Sequence, residues 1–311
     1  MKPRVAVSMG DPAGVGPEVV VAALGDPRVL AALEPLVLGD RMVLERAAAL
    51  RGVAVPPLRE VTRLGERLSE RDLGAAALGY VDAGIEEVQR GAADALCTAP
   101  LSKHRVSLAV PGFQGHTEHL AARTGARVAM MMAGPRLRVV LATNHLALAE
   151  VPRRLTSEQV GFVLRLTARE LIQRFGIAEP RIAVCGLNPH AGDGGLFGDE
   201  EARLLKPAID EARREGLFVL GPLAADGLFP RAAVGACDAV IALYHDQGLI
   251  PAKLLDFRET VNVTLGLPFP RTSPDHGTAD DIAGQGIADA EPMVSALLLA
   301  ARLARAADPH L

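Results

Sequence analysis

Short apolar runs alternate along the chain with longer stretches in which apolar residues recur every three to four positions, and Gly-, Pro- or polar-rich segments separate the two. A brief Val/Ala/Leu/Ile run bounded by turn residues reads as a buried strand, and recurrence at three to four residues reads as an amphipathic helix. The strand pattern falls on Arg4–Met9, Pro35–Gly39, Asp94–Thr98, Arg127–Met132, Leu137–Thr143, Arg181–Gly186, Asp238–Tyr244 and Thr260–Leu265. The helical pattern falls on Pro17–Leu24, Ala75–Arg90, Ser157–Phe175, Asp199–Glu215 and Pro292–Ala306. Such alternation predicts repeated βαβ units and an α/β protein with a mainly parallel sheet. Arg51–Gly74, with Pro56, Pro57 and scattered charge, reads as a surface excursion, and no internal repeat or flexible linker interrupts the series.

Composition narrows the class. A chain of 311 residues, 49% hydrophobic and 23% charged, is long enough for about two domains with cores that need no staples. The net charge of -4, with no Lys/Arg block, excludes a nucleic-acid-binding surface. No apolar run approaches the roughly 18 residues of a membrane span, and Arg302 and Arg305 interrupt the most apolar helix, so no membrane partner is expected. The N-terminal apolar stretch is broken too soon by Gly-Asp-Pro to serve as a signal peptide. Cys97, Cys185 and Cys237 lie far apart, in or beside apolar runs, and read as buried reduced thiols of a cytoplasmic protein.

The chemistry gathers where rare residue types fall. His145, His190 and His245 each stand at or just past the C-terminal end of an apolar strand, in VVLATNH, RIAVCGLNPH and DAVIALYH. Parallel strands joined by right-handed crossovers bring such ends to one sheet edge, where open α/β folds place their sites. Three imidazoles there can ligate a divalent metal and leave positions open for substrate or water, although each taken singly also reads as a satisfied polar residue. All three Asn of the chain, Asn144, Asn188 and Asn262, lie in the same or the next segment. Lys253, one of only four Lys, is either a solvated helix residue or a cation aimed at an anionic substrate. His116 and Thr117 in GFQGHTEHL stand near a helix N-terminus suited to a phosphate, with ordinary helix capping as the bland alternative. PRTSPDHGTADDIAG gathers Arg271, Thr272, Ser273, Asp275, His276 and Thr278 on what reads as a polar loop. MGDPAGVGPEV is a Gly-rich turn from strand to helix that matches neither the P-loop nor the GxGxxG spacing.

Taken in order, MGDPAGVGPE, GHTEHLA, ATNHLAL, GLNPHAGDGG, YHDQGLIPAK and VNVTLGLPFPRTSPDHGTA resemble, essentially end to end, the 4-hydroxythreonine-4-phosphate dehydrogenase family of pyridoxal phosphate biosynthesis. The resemblance implies a two-domain fold like that of isocitrate and isopropylmalate dehydrogenases, with an interdomain active-site cleft. The first domain is expected over approximately 1–135 plus 275–311. The second, over approximately 136–274, would carry the metal ligands and the dimer contacts. It further implies metal ligation by His145, His190 and His245, and substrate binding by His116, Thr117, Lys253, Asn262 and Arg271. The partners implied are a small phosphorylated hydroxy amino acid and a second copy of the chain, in a homodimer with the active site at the subunit interface.

The cofactors implied are NAD or NADP and one divalent ion, Zn, Mg or Co, per site. The implied reaction oxidises the C3 hydroxyl of 4-phosphooxy-L-threonine and then loses CO2 to give 3-amino-2-oxopropyl phosphate. A metal ion suits both steps, since it lowers the pKa of the hydroxyl and later stabilises the charge released with CO2. Asp246 is a candidate for the base or for a support of His245, and no cofactor-binding residues are assigned. Two positions depart from the family pattern: Asp280 replaces an apolar residue, and Asp193 stands where Glu is usual. The alternatives are a related dehydrogenase of 4-phosphorylated threonate or erythronate or of a dihydrodiol carboxylate. From other classes come a metal-dependent hydrolase and an acyl or phosphate transferase.

Overall fold

The computed structural model describes residues 1–65 and 67–306; residues 307–311, the end of the first expected domain, lie outside it. Eleven strands occur among the described residues: β1 Arg4–Ser8, β2 Glu34–Asp40, β3 Leu58–Thr62, β4 Ala95–Thr98, β5 Ala129–Ala133, β6 Arg138–Leu141, β7 Arg181–Cys185, β8 Phe218–Leu223, β9 Ala239–Ala242, β10 Val261–Leu265 and β11 Arg271–Pro274. The chain divides into two compact units, residues 1–127 with 267–311, and residues 128–266.

In the first unit the strands run in the order β3-β2-β1-β4-β11, and every pair is parallel. Val5, Ala6, Val7, Leu38 and Leu96 fill its core. The helix Glu70–Gln89 packs on β1, β2 and β4, and the helix Glu291–Ala306 on β1, β4 and β11. Small residues set the packing distance: a Cβ on Gly84 would meet the Leu96 side chain at 2.6 Å. At Gly10, just past β1, φ is +80° and an added Cβ would strike the carbonyl oxygen of Pro100, so this position requires glycine.

The second unit has the order β10-β5-β6-β9-β7-β8. β5 is antiparallel to both β10 and β6, and the β6/β9, β9/β7 and β7/β8 pairs are parallel. Met132, Val139, Ala183, Cys185, Val240 and Ala242 form the centre of its core.

The strands that escape the hydrophobic pattern do so for physical reasons. β3 (LREVT) lies within the expected surface excursion and buries no residue fully, so its sequence carries little apolar signal. β8 contains Gly221 and Pro222, which read as a turn. β11 has the sequence RTSP and is buried at all four positions. Two of its side chains bond inside the fold, Thr272 Oγ1–H donating to the Ala296 carbonyl at 2.8 Å and Arg271 to Thr98 Oγ1, which helps a polar tetrapeptide occupy a core strand. All three cysteines are free and buried, and burial raises the Cys97 and Cys185 thiols to about 12. No helix among the described residues is long and apolar enough to cross a membrane.

Candidate functional site

β6, β9 and β7 are neighbours and parallel, so their C-terminal ends lie side by side at one edge of the second unit. Just beyond those ends come Asn144 and His145, then Tyr244, His245 and Asp246, then Asn188 and His190. Side chains lock the first turns together. Thr143 Oγ1–H donates to the Leu243 carbonyl at 2.6 Å, Gln247 Oε1 accepts the Leu243 N–H at 2.7 Å, and Gln247 Nε2–H donates to the Gly186 carbonyl at 2.7 Å. Gln247 thereby ties the end of β9 to the end of β7. A single Gln two residues after a His carries no spacing signal, so the sequence alone does not point to it.

His145 and His245 face one another with ring centroids 5.5 Å apart and planes tilted by 41°. Two imidazoles ligating one tetrahedral ion through nitrogens at ~2.0–2.1 Å place their centroids roughly 5 Å apart, so the pair fits a shared metal. The two rings line a cavity of about 510 Å3 together with Asn144, Leu146, Leu148, Val151, Tyr244 and Asp246. His245 Nδ1 lies 2.7 Å from Asp246 Oδ1, a bond that turns Nε2 into the free ligand atom when Nδ1 carries the proton.

His190 does not join them. It is exposed, does not line that cavity, and lies near Phe197 with centroids 6.3 Å apart and ring planes tilted by 51°. No group of three or more His, Cys, Asp or Glu among the described residues is placed to hold one ion. A single chain therefore brings together two of the three expected ligands. Lys253, half-buried on the helix His245–Asp256, holds its Nζ 6.0 Å from the Phe257 ring centroid. Asn262 on β10 has Nδ2 3.3 Å from the Met130 sulfur, and its Oδ1 is shielded from solvent with no hydrogen-bond partner among the described residues.

The remaining candidates lie in the first unit. His116 and Thr117 open the helix His116–Thr124, whose N-cap, Gly115, offers no side-chain cap and leaves the first N–H groups unclaimed by one. His116 Nε2 is buried with no hydrogen-bond partner among the described residues. Burial, reinforced by the charges of Arg271, His119 and Lys103, holds the imidazole well below its ordinary 6.5, hence neutral at physiological pH. Arg271 on β11 is 1% exposed and donates to Thr98 Oγ1 at 2.5 Å. Burial lowers its guanidinium to about 10, with Cys97 and Glu118 opposing, which leaves it a cation. Lys103 was not singled out in the sequence, yet a Cβ on Gly115 would meet its Cε at 3.2 Å and its Nζ at 3.4 Å. The signal available was its rarity, since it too is one of four Lys.

Asp280, at a position where the resemblance leads one to expect an apolar residue, pairs with Arg105 at 2.8 Å, and Arg105 in turn pairs with the buried Asp11 of the Gly-rich turn at 3.0 Å. The carboxylate joins the loop after β11 to the turn after β1. That turn also walls a second cavity of about 440 Å3, lined by Pro12, Gly14, Glu18, Arg46, Leu50 and Gly284 among others.

The model of the pyridoxal phosphate biosynthetic protein PdxA family matches residues 31–300. A 4-hydroxythreonine-4-phosphate dehydrogenase of Geobacter metallireducens is 49% identical, over 98% of this chain and 96% of that protein. A protein of Symbiobacterium thermophilum, provisionally named a D-threonate 4-phosphate dehydrogenase, is 40% identical over 98% of both. Among solved structures, the 4-hydroxythreonine-4-phosphate dehydrogenase of Klebsiella pneumoniae superposes with a TM-score of 0.86 at 37% identity, covering 98% of each chain. A β-decarboxylating dehydrogenase of Thermococcus kodakarensis, at 18% identity and a TM-score of 0.53 over 97% of this chain and 82% of that one, shares the fold.

Proposed function

The chain belongs to the family of the pyridoxal phosphate biosynthetic protein PdxA, and from that premise we propose that it is a metal-dependent dehydrogenase that oxidises 4-phosphooxy-L-threonine at C3 and releases CO2. NAD or NADP accepts the hydride, and the product is 3-amino-2-oxopropyl phosphate. The reading is carried by the His145–His245 pair, whose 5.5 Å separation suits one shared ion at a strand-end cavity. A divalent ion, Zn, Mg or Co, would supply Lewis acidity, first acidifying the C3 hydroxyl and later stabilising the charge left by CO2. His145 and His245 of one chain, with His190 of a second copy, would hold it.

The chain's own residues do the rest. Asp246 fixes the tautomer of His245 and is the candidate base for the hydroxyl proton. His116, Thr117, Lys253, Asn262 and Arg271 are the candidates for holding the substrate's phosphate and carboxylate. Anchoring both ends of the substrate converts binding energy into orientation of C3–H toward the nicotinamide. The hydride leaves C3 with its electron pair for the nicotinamide and the hydroxyl proton goes to the base, giving a 3-oxo acid. When CO2 departs, the electron pair passes into the adjacent carbonyl and a proton is finally taken up at C2.

A homodimer is part of this reading. Ile250 and Leu254 on the helix His245–Asp256, and Phe257 at its C-cap, are 62%, 83% and 67% exposed. Leu148 and Leu196, from the segments that carry His145 and His190, are 68% and 72% exposed. An apolar surface of this kind beside an incomplete ligand set is what a second copy would cover. The buried thiols support a cytoplasmic location. The Symbiobacterium relative's name favours a second reading, in which the substrate is D-threonate 4-phosphate. Purified protein incubated with each phosphorylated acid, a divalent metal and NAD or NADP distinguishes them. Reduced nicotinamide is expected to form fastest with 4-phosphooxy-L-threonine and to vanish with EDTA; faster turnover of threonate phosphate reverses the assignment.

A further inference from the structure

We infer that Glu201 is the positioning residue for His190, holding the loop after β7 in the shape that offers the imidazole outward; the inference rests on His190 being a metal ligand. From His190 to Gly194 five consecutive residues have positive φ, and three of them are not glycine: His190 at 53°, Ala191 at 55° and Asp193 at 43°. L-residues adopt this conformation only when their surroundings impose it. Just ahead of that run the chain is braced by the Glu201 carboxylate, which is 6% exposed. Its Oε1 accepts the N–H of Leu187 at 2.8 Å and of Asn188 at 2.7 Å, and its Oε2 accepts Asn188 Nδ2–H at 3.0 Å.

The loop is built around that carboxylate. A Cβ on Gly192 would come within 2.8 Å of Glu201 Oε2, and one on Gly186 would meet Ala191 Cα at 2.7 Å. Glu200 takes a second Asn188 Nδ2–H bond at 2.7 Å from outside. Glu201 is brought inward by a single π-helical turn, Glu201–Leu205, ahead of the helix Lys206–Arg214, a local widening that recurs at functional positions. No Lys or Arg forms an ion pair with Glu201 among the described residues. A buried carboxylate answered only by loop amides is costly to the fold unless the loop's shape is what it serves.

The test uses Co2+ alone, with binding followed by equilibrium dialysis and by the ligand-field spectrum, on the full chain and on Glu201→Gln, Asn188→Asp and His190→Ala. Gln retains one acceptor oxygen but turns an amide toward Asn188 Nδ2, and Asn188→Asp repels the same carboxylate without altering it. Both are expected to weaken Co2+ by about 10–100-fold, as losses of ligand-orienting groups do. Both are also expected to speed hydrogen exchange of the amides over 187–195 and to regain kcat at saturating Co2+. Folding is checked by circular dichroism, and if Glu201→Gln does not fold, Asn188→Asp decides. Co2+ affinity within twofold of the parent in the folded variants, with His190→Ala weakened, overturns the role of Glu201. Undiminished affinity in His190→Ala overturns the ligand role of His190 itself.

Discussion

His116 has the clearest consequence for pH. Its folded-state pKa lies well below 6.5, so as pH falls through 6.5 the unfolded chain takes up a proton that the folded chain refuses. The contribution to stability is present above 6.5 and lost on acidification, and His116→Gln is expected to flatten urea midpoints measured between about pH 7.5 and 5.5. Lys103 acts at the same helix end through charge. Lys103→Met is expected to raise KM for the phosphorylated substrate roughly 5–20-fold with little change in kcat, the size of one charge-assisted contact; an unchanged KM removes it from the site. Rarity drew attention to Asn144, His145, Asn188, His190 and His245, since each stands just past the end of β6, β7 or β9. Glu201 and Gln247 were not legible, because Glu is common in the helix where it lies and the value of each comes from backbone groups distant in sequence.

Among the elements, the strands that bury apolar side chains on both faces announce themselves, as RIAVC and AVIA do. RTSP does not, because its burial depends on partners such as Thr98 and Ala296 that only the fold supplies. The loop that follows β11 shows what Asp280 does. Its carboxylate is half exposed; desolvation works to raise it, but the hydrogen bond from Thr278 and the ion pair with Arg105 together hold it below the usual carboxylate range. Replacing it with Leu is expected to cost no more than about 1 kcal/mol in urea unfolding, the scale of a partly solvated pair, and to leave KM within twofold. A larger shift in KM would make Asp280 part of substrate or cofactor selection.

For the whole molecule, the mainly parallel α/β character followed from alternating runs. The separation of His190 from the other two histidines did not, because a strand-end position says nothing about the direction in which a loop turns. The dimer expected to reunite them should depend on the exposed face of the helix His245–Asp256. Leu254→Asp is therefore expected to yield monomers in sedimentation and to lose both metal and activity. The most direct test mixes two inactive variants, His145→Ala and His190→Ala, after subunit exchange. If each site takes His145 and His245 from one chain and His190 from the other, every heterodimer contains one intact site. Random mixing then restores about a quarter of parental reduced-nicotinamide formation from 4-phosphooxy-L-threonine. A mixture that stays as inactive as either variant alone contradicts the shared site.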